Sequence, residues 1–185
     1  MERSFRKWRQ LLWSKVAGTQ ILEIGVGTGK NFPYYPRNVE LTAIDLSDRM
    51  LARARNKAAT QQVKVRLQQM DVQQLQFPDS TFDTIVASFV FCSVPDPARG
   101  LEEVVRVCKP GGKVVLLEHV LSSNRTMAWL MNLINPLVVR MGGENINRRT
   151  AVTVARSGLL LAAVTNLSRG SVFVLIEARK ERPFA

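Results

Sequence analysis

Three carboxylates follow three apolar runs in this chain, and the first is followed at once by glycines. In Ile21-Leu22-Glu23-Ile24-Gly25-Val26-Gly27-Thr28-Gly29, a run that reads as a buried strand enters a tight glycine turn, with Glu23 two places before the first glycine. Leu41-Thr42-Ala43-Ile44 ends in Asp45, and Val63-Lys64-Val65-Arg66-Leu67 leads through Gln69-Met70 to Asp71. A turn that lets backbone approach a ligand, beside a carboxylate at the tip of the neighbouring strand, is how an α/β sheet grips a nucleoside.

The glycine spacing narrows the nucleoside. A dinucleotide fingerprint needs its third glycine three residues after the second, and Lys30 stands there. The phosphate loop GxxxxGK[ST] fails as well, with Ile24 at its first glycine and Asn31 at its hydroxyl position. Glu23 would repel a pyrophosphate but welcome an ammonium group. S-adenosylmethionine has the matching pattern of an amino acid end, a ribose diol, an adenine and a sulfonium. Glu23 then faces the amino group, Asp45 accepts from both ribose hydroxyls, and Asp71 accepts from the adenine amine.

The elements that must position these groups are legible from periodicity. Residues 4–17 have helical spacing, with Phe5, Trp8, Leu12 and Val16 on one face and Arg6, Arg9 and Lys15 largely off it. Two readings stand: a packing helix ahead of the first strand, or a basic amphipathic helix on a membrane. Pro33 and Pro36 bracket Tyr34 and Tyr35 and keep any helix there short. Ser47 is expected to cap a helix through Ala59, with Met50, Leu51 and Ala54 turned inward. Phe82 to Ser88 reads as a buried strand continued by Phe89-Val90-Phe91. Asp96-Pro97 opens a helix packing through Leu101, Val104, Val105 and Val107. Lys109-Pro110-Gly111-Gly112 breaks the pattern before a strand over Lys113–Leu117 that ends at Glu118-His119. Residues 159–164 and 171–179 read as a terminal hairpin.

Five strand-then-helix units predict an α/β fold with a parallel sheet and right-handed crossovers, whose ligands bind outside the carboxyl ends of the strands. Glu23, Asp45, Asp71, Ser88 and His119 all fall at such ends. At 185 residues the length favours one domain over 1–185, with the basic helix at 1–17 and a lid at 122–147. Cys92 and Cys108 are too few for a disulfide scaffold or a zinc site, and no metal is expected. The short apolar patch Leu11-Leu12-Trp13 does not make a signal peptide, and reduced thiols fit a cytoplasmic protein. A formal charge of +11 implies attraction to something anionic: nucleic acid, an acidic membrane surface or an acidic substrate.

With these residues in place, the chain resembles the class I S-adenosylmethionine-dependent methyltransferases. The resemblance is carried by Leu22 to Asn31 with the following Pro33-Tyr34-Tyr35-Pro36, by Asp45-Leu46-Ser47-Asp48-Arg49-Met50-Leu51, and by Lys109-Pro110-Gly111-Gly112 and Leu117-Glu118-His119-Val120. It points to the branch that holds small bacterial phosphatidylethanolamine N-methyltransferases and ubiquinone/menaquinone-pathway methyltransferases. It implies a Rossmann-like, seven-stranded, mostly parallel sheet with helices on both faces and an antiparallel last strand. It also implies that Gly25 and Gly27 pass under the methionine part of S-adenosylmethionine, with Glu23 and Asn31 nearby and Ser88 lining that side. Asp45 and Leu46 would hold the ribose, Asp71 and Val72 would flank the adenine, and Met50 would pack on its face. Fewer residues precede the first strand than in relatives of that branch, so the lid over the cofactor is expected to be thinner or recruited from elsewhere.

The acceptor is read from what is present and what is missing. Ser88-Phe89-Val90-Phe91 lacks the Asn/Asp-Pro-Pro-Tyr of base-amine methylation, and Cys92 reads as a small buried hydrophobe instead of a nucleophile. The apolar run from Met127 to Val139, interrupted by Asn135-Pro136, is either an ordinary lid packed on the sheet or a cap that admits acyl chains and docks on an anionic membrane. His119 can serve as proton acceptor or as a structural residue, and Tyr34 with Tyr35 and Phe89 can wall a methylated ammonium or cover the cofactor. The leading expectation is methylation of a phospholipid amine, phosphatidylethanolamine toward phosphatidylcholine, by a protein peripheral to the inner face of the membrane. A small-molecule or quinone methyltransferase is the alternative, and an RNA methyltransferase is disfavoured because no RNA-binding module accompanies the charge.

Overall fold

The computed structural model describes residues 2–143 and 145–182. Met1, at the start of the expected basic helix, Glu144, within the expected lid, and residues 183–185 lie outside the described residues, as do the side chains of Glu2, Arg3 and Arg169. Seven strands form one sheet: β1 (Gln20–Ile24), β2 (Glu40–Asp45), β3 (Arg66–Gln69), β4 (Phe82–Ser88), β5 (Cys108–His119), β6 (Leu159–Asn166) and β7 (Phe173–Lys180). Their spatial order is β3-β2-β1-β4-β5-β7-β6. β3, β2, β1, β4 and β5 pair in parallel, and β7 runs antiparallel to both β5 and β6. The Rossmann-like architecture expected from the sequence is the one observed, down to the reversed last strand.

Strand alternation sends successive side chains to opposite faces of the sheet. Leu22 and Ile24 join Ile44, Ile85, Leu101 and Val104 in one core; Ile21 joins Ala43, Leu51, Val86, Val115 and Leu117 in the other. Helix α1 (Glu2–Ser14) closes the second core with Leu12 and Trp13, both buried, so its apolar side is spent on packing. This is the packing that the first of the two readings of this helix expected. Helix α2 (Asp48–Gln61) starts where the Ser47 hydroxyl accepts from the Met50 amide at 3.4 Å, and it stops at Gln62 in a left-handed conformation. Helix α3 (Pro97–Val107) starts where Asp96 accepts from the amides of Ala98 and Arg99.

The structure differs from the expected element map in five places. Residues 70–81, between β3 and β4, carry no helix. The expected strand at 63–67 begins only at Arg66, where pairing with Thr42 of β2 starts. Lys109-Pro110-Gly111-Gly112 does not precede β5 but lies inside it, in an irregularity where the register with β4 slips between Phe82 and Thr84. β4 stops at Ser88 because Phe89 takes φ 59°, which no strand continues through. Met50 is not turned inward with Leu51 and Ala54 but is 40% exposed.

The 122–147 segment contains helix α4 (Arg125–Gly142), started by Asn124 accepting from Thr126 and Met127. Pro136 sits within it without breaking it. The carbonyl that Pro136 leaves unpaired belongs to exposed Asn132, where water can serve it. The short helix α5 (Thr150–Arg156) then leads into β6. Among the described residues, no helix is long and apolar enough to cross a membrane.

Candidate active site

The parallel strands β1, β2, β3, β4 and β5 end along one edge of the sheet, and β7 begins there, since Phe173 pairs with His119. The glycine turn after β1 is pinned to its neighbour: the amides of Gly25 and Val26 both donate to the Ile44 carbonyl, at 2.8 and 3.0 Å. Gly25 has φ +70°, and a Cβ there would meet Val90 Cγ2 at 2.3 Å. Gly27 has φ +55°, and a Cβ there would meet nothing within 4 Å. The first glycine is thus required by packing and the second opens toward empty space.

That space is a cavity of about 540 Å³. Of the residues expected to hold the cofactor, Gly25, Gly27, Asn31, Asp45, Leu46, Met50, Asp71, Val72 and Ser88 all line it. Asp45 is held ready at the tip of β2: its Oδ2 accepts from the Gly27 amide at 2.8 Å and its Oδ1 from the Ser47 amide at 2.9 Å. Asp71 is fixed by a tight turn in which it accepts from the Gln73 amide at 2.8 Å. Leu46, 63% exposed, and Met50 present apolar surface to the cavity, which explains why neither joined a core.

Glu23 does not line this wall. Alternation along β1 places it on the Ile21 face, fully buried, where Tyr35 O–H and Asn31 Nδ2 donate to its carboxyl. Asn31 Nδ2 also donates to Ser88 Oγ at 3.0 Å. Burial pushes the Glu23 carboxyl up to about 7, against the opposing pull of those two donors and of Arg9. The same burial, reinforced by Glu23, pushes the Tyr35 hydroxyl up as well. Asn31, not Glu23, therefore lines the cavity, and its buried Oδ1 has no hydrogen-bond partner among the described residues.

Tyr34 and His119 belong to a second cavity of about 590 Å³, which shares Arg9, Lys30 and Phe89 with the first. Phe5, Phe89 and Phe173 form its aromatic wall, edge to face at 5.6 to 6.0 Å, and His119 lies edge-on to Phe173 at 5.0 Å. Tyr35, expected to share that wall, instead turns inward against Trp13. Among the described residues, four cationic side chains, Arg6, Arg9, Lys30 and Lys57, line the cavity and no carboxylate does. Cys92 is buried at its edge. Sequence reasoning missed Arg6, Arg9, Lys30 and Lys57 as site residues. Among the described residues, no group of three or more His, Cys, Asp or Glu side chains could hold a metal.

The first cavity fits S-adenosylmethionine on its own terms. It offers a carboxylate pair at adjacent strand ends, apolar faces for a base, an open glycine and an unpartnered amide oxygen for an ammonium. Replacing Asp45 with alanine should weaken S-adenosylmethionine binding by about 2 kcal/mol, roughly 30-fold, because a charge-assisted acceptor is lost. Calorimetry reads this directly, and unchanged affinity would put the ribose elsewhere.

The model of the methyltransferase domain family matches residues 22–116, just over half of the chain. A phosphatidylethanolamine N-methyltransferase of Cereibacter sphaeroides is 50% identical over 105 residues, covering 55% of this chain and 51% of that protein. A ubiquinone/menaquinone biosynthesis C-methyltransferase of Bdellovibrio bacteriovorus is 38% identical over 105 residues, covering 55% of this chain and 45% of that protein. The chain spans about half the length of these curated relatives. A SAM-dependent methyltransferase structure from Methanosarcina mazei superposes with a TM-score of 0.74 over 94% of this chain and 98% of that one, at 21% identity. The family match begins in β1 and runs through the glycine turn and the acidic strand ends into β5: this chain belongs to the class I S-adenosylmethionine-dependent methyltransferases, and S-adenosylmethionine is its cofactor.

Proposed function

We propose that the chain methylates the amine of a phospholipid, phosphatidylethanolamine toward phosphatidylcholine. The observation that carries this reading is the second cavity, lined among the described residues by four cations and an aromatic wall but no carboxylate, and joined to the cofactor cavity through Arg9, Lys30 and Phe89. A phosphoethanolamine headgroup needs both halves of that lining: cations for its phosphate and ring faces for a nitrogen that gains methyl groups. When bound, S-adenosylmethionine supplies a methyl carbon on a sulfonium, open to in-line attack. Asn31 Oδ1 seats the ammonium of the cofactor, and the chain's remaining task is to align the amine and keep water out. The amine must first lose a proton. The surrounding cations lower its pKa, and His119, at the end of β5 in the same cavity, is placed to accept that proton. Tyr34 lines the same cavity as His119.

The likeness to the Bdellovibrio C-methyltransferase favours a second reading, transfer to a quinone ring stacked on Phe5, Phe89 and Phe173. Purified protein with methyl-labelled S-adenosylmethionine separates the two when offered phosphatidylethanolamine vesicles, a demethylated quinone and tRNA in parallel. Label is expected in the lipid alone. Arg6 lines only the acceptor cavity, so Arg6→Ala should raise the KM for lipid about tenfold and leave cofactor affinity unchanged. Label confined to quinone or RNA would overturn the reading.

A further inference from the structure

Helix α4 carries its apolar residues on the wrong side for a packing helix. Leu130, Leu133, Ile134, Leu137 and Met141 recur at helical spacing and are all exposed, Leu133 at 62% and Met141 at 82%. Trp129, at 65%, flanks the stripe. The opposite side holds the body instead: Met131 is buried, and Asn135 Oδ1 accepts from the Ile146 amide at 2.9 Å while Asn135 Nδ2 donates to Asn145. The first turn of α4 also borders an apolar groove toward α5 and β6, where Ala128 faces Val152 and Val164, themselves exposed.

The charge along this stretch is almost wholly positive, although Glu102 of α3 lines a cleft with Arg149 and Arg156. From His119 to Ile176 the sequence holds six arginines, no lysine and a single acidic residue, Glu144. Arg125 begins α4 and Arg140 lies in its last turn, while Arg149 precedes α5 and Arg156 ends it. A second copy of the chain is a poor occupant. Two-fold pairing would set these arginines against their own counterparts, with no carboxylate on the described residues of α4, α5 or β6 to pair them. An anionic bilayer supplies both things the face lacks, an apolar interior and counter-charge.

We propose that the outer face of α4, with the groove it shares with α5 and β6, lies on an anionic bilayer, with the helix in the plane of the interface. This goes beyond the acceptor reading, because it requires an anionic surface and no particular amine. It also supplies a route, since Asn145 and Ile146, just past α4, line the acceptor cavity.

Vesicles of phosphatidylcholine with phosphatidylglycerol, free of ethanolamine lipid, test the docking separately from methylation. The full chain should sediment with them, and binding should fall about tenfold or more on pure phosphatidylcholine. Trp13 is buried and Trp8 is packed among rings, so a blue shift of tryptophan emission on binding should vanish in Trp129→Phe. The double variant Leu133→Glu, Leu137→Glu alters two exposed positions, so it should keep its thermal midpoint and cofactor affinity but lose vesicle binding about tenfold. Wild-type protein that ignores anionic vesicles, or a double variant that binds them unchanged, overturns the proposal. So does a wild-type dimer that the double variant converts to monomer. Docking that persists while phosphatidylethanolamine goes unmethylated would instead sink the acceptor reading alone.

Discussion

Gly27→Ala should abolish most cofactor binding while leaving a folded protein. A Cβ at this position meets no atom within 4 Å, so the added methyl disturbs nothing in the chain and projects into the space beside the glycine turn. An alanine at φ +55° carries about 1 kcal/mol of backbone strain, a loss of a few degrees in thermal midpoint. Against a bound ligand, the same methyl is an overpacked contact worth roughly 2–3 kcal/mol, about a 30- to 150-fold loss of S-adenosylmethionine affinity. Gly25→Ala is the control with the opposite signature. Its Cβ would sit 2.3 Å from Val90 Cγ2, so the substitution should first cost stability, by displacing the segment after β4. Calorimetric affinity and thermal melts on the two variants separate the effects. A Gly27→Ala protein that binds cofactor like wild type would mean the ligand does not cross this turn.

What could be read from the residues alone follows the range of the interactions that place them. The glycine turn, Asp45 and Asp71 are local features: a buried run, a turn that needs positive φ, and a polar residue where the run ends. Their convergence on one cavity follows from parallel pairing, which puts the strand ends at one edge. Helix α1 shows where such reasoning stops. Its periodicity correctly sets Phe5, Trp8 and Leu12 on one face, but nothing local says that Arg6 and Arg9 will line the second cavity. Lys30 and Lys57 arrive there from separate elements for the same reason. For α4 the apolar run was plain, yet composition does not tell whether its apolar residues face the protein or away from it. The segment at Lys109–Gly112 shows local breakers overruled by pairing with β4. Glu23 was partly legible: alternation alone puts it on the Ile21 face, but only the turn carrying Asn31 and Tyr35 seals it there.

That buried carboxyl makes the stability of the protein depend on pH in an unusual direction. Glu23 titrates near 7 in the folded chain and near its ordinary 4.5 when unfolded, chiefly because burial disfavours its charge. Between these values the folded state holds a proton that the unfolded chain has lost. Stability is therefore greatest from this group below pH 4.5, declines as pH rises, and has lost roughly 3 kcal/mol by the time the folded carboxyl ionises above 7. Glu23→Gln keeps the shape and the donor of the protonated form at every pH and should remove this dependence. The unfolding free energy of the variant minus that of wild type should accordingly rise by roughly 2.5 kcal/mol between pH 5 and pH 8, measured by denaturant titration. A difference that stays constant over that range would show that Glu23 is already ionised near its ordinary pKa. The same proton reports on the site. An ammonium seated on Asn31 Oδ1 favours the charged carboxylate behind it, so S-adenosylmethionine binding near pH 6 should release a proton, seen as a binding heat that changes with the buffer's ionisation enthalpy. In Glu23→Gln that buffer dependence should disappear, because the group that gives up the proton is gone.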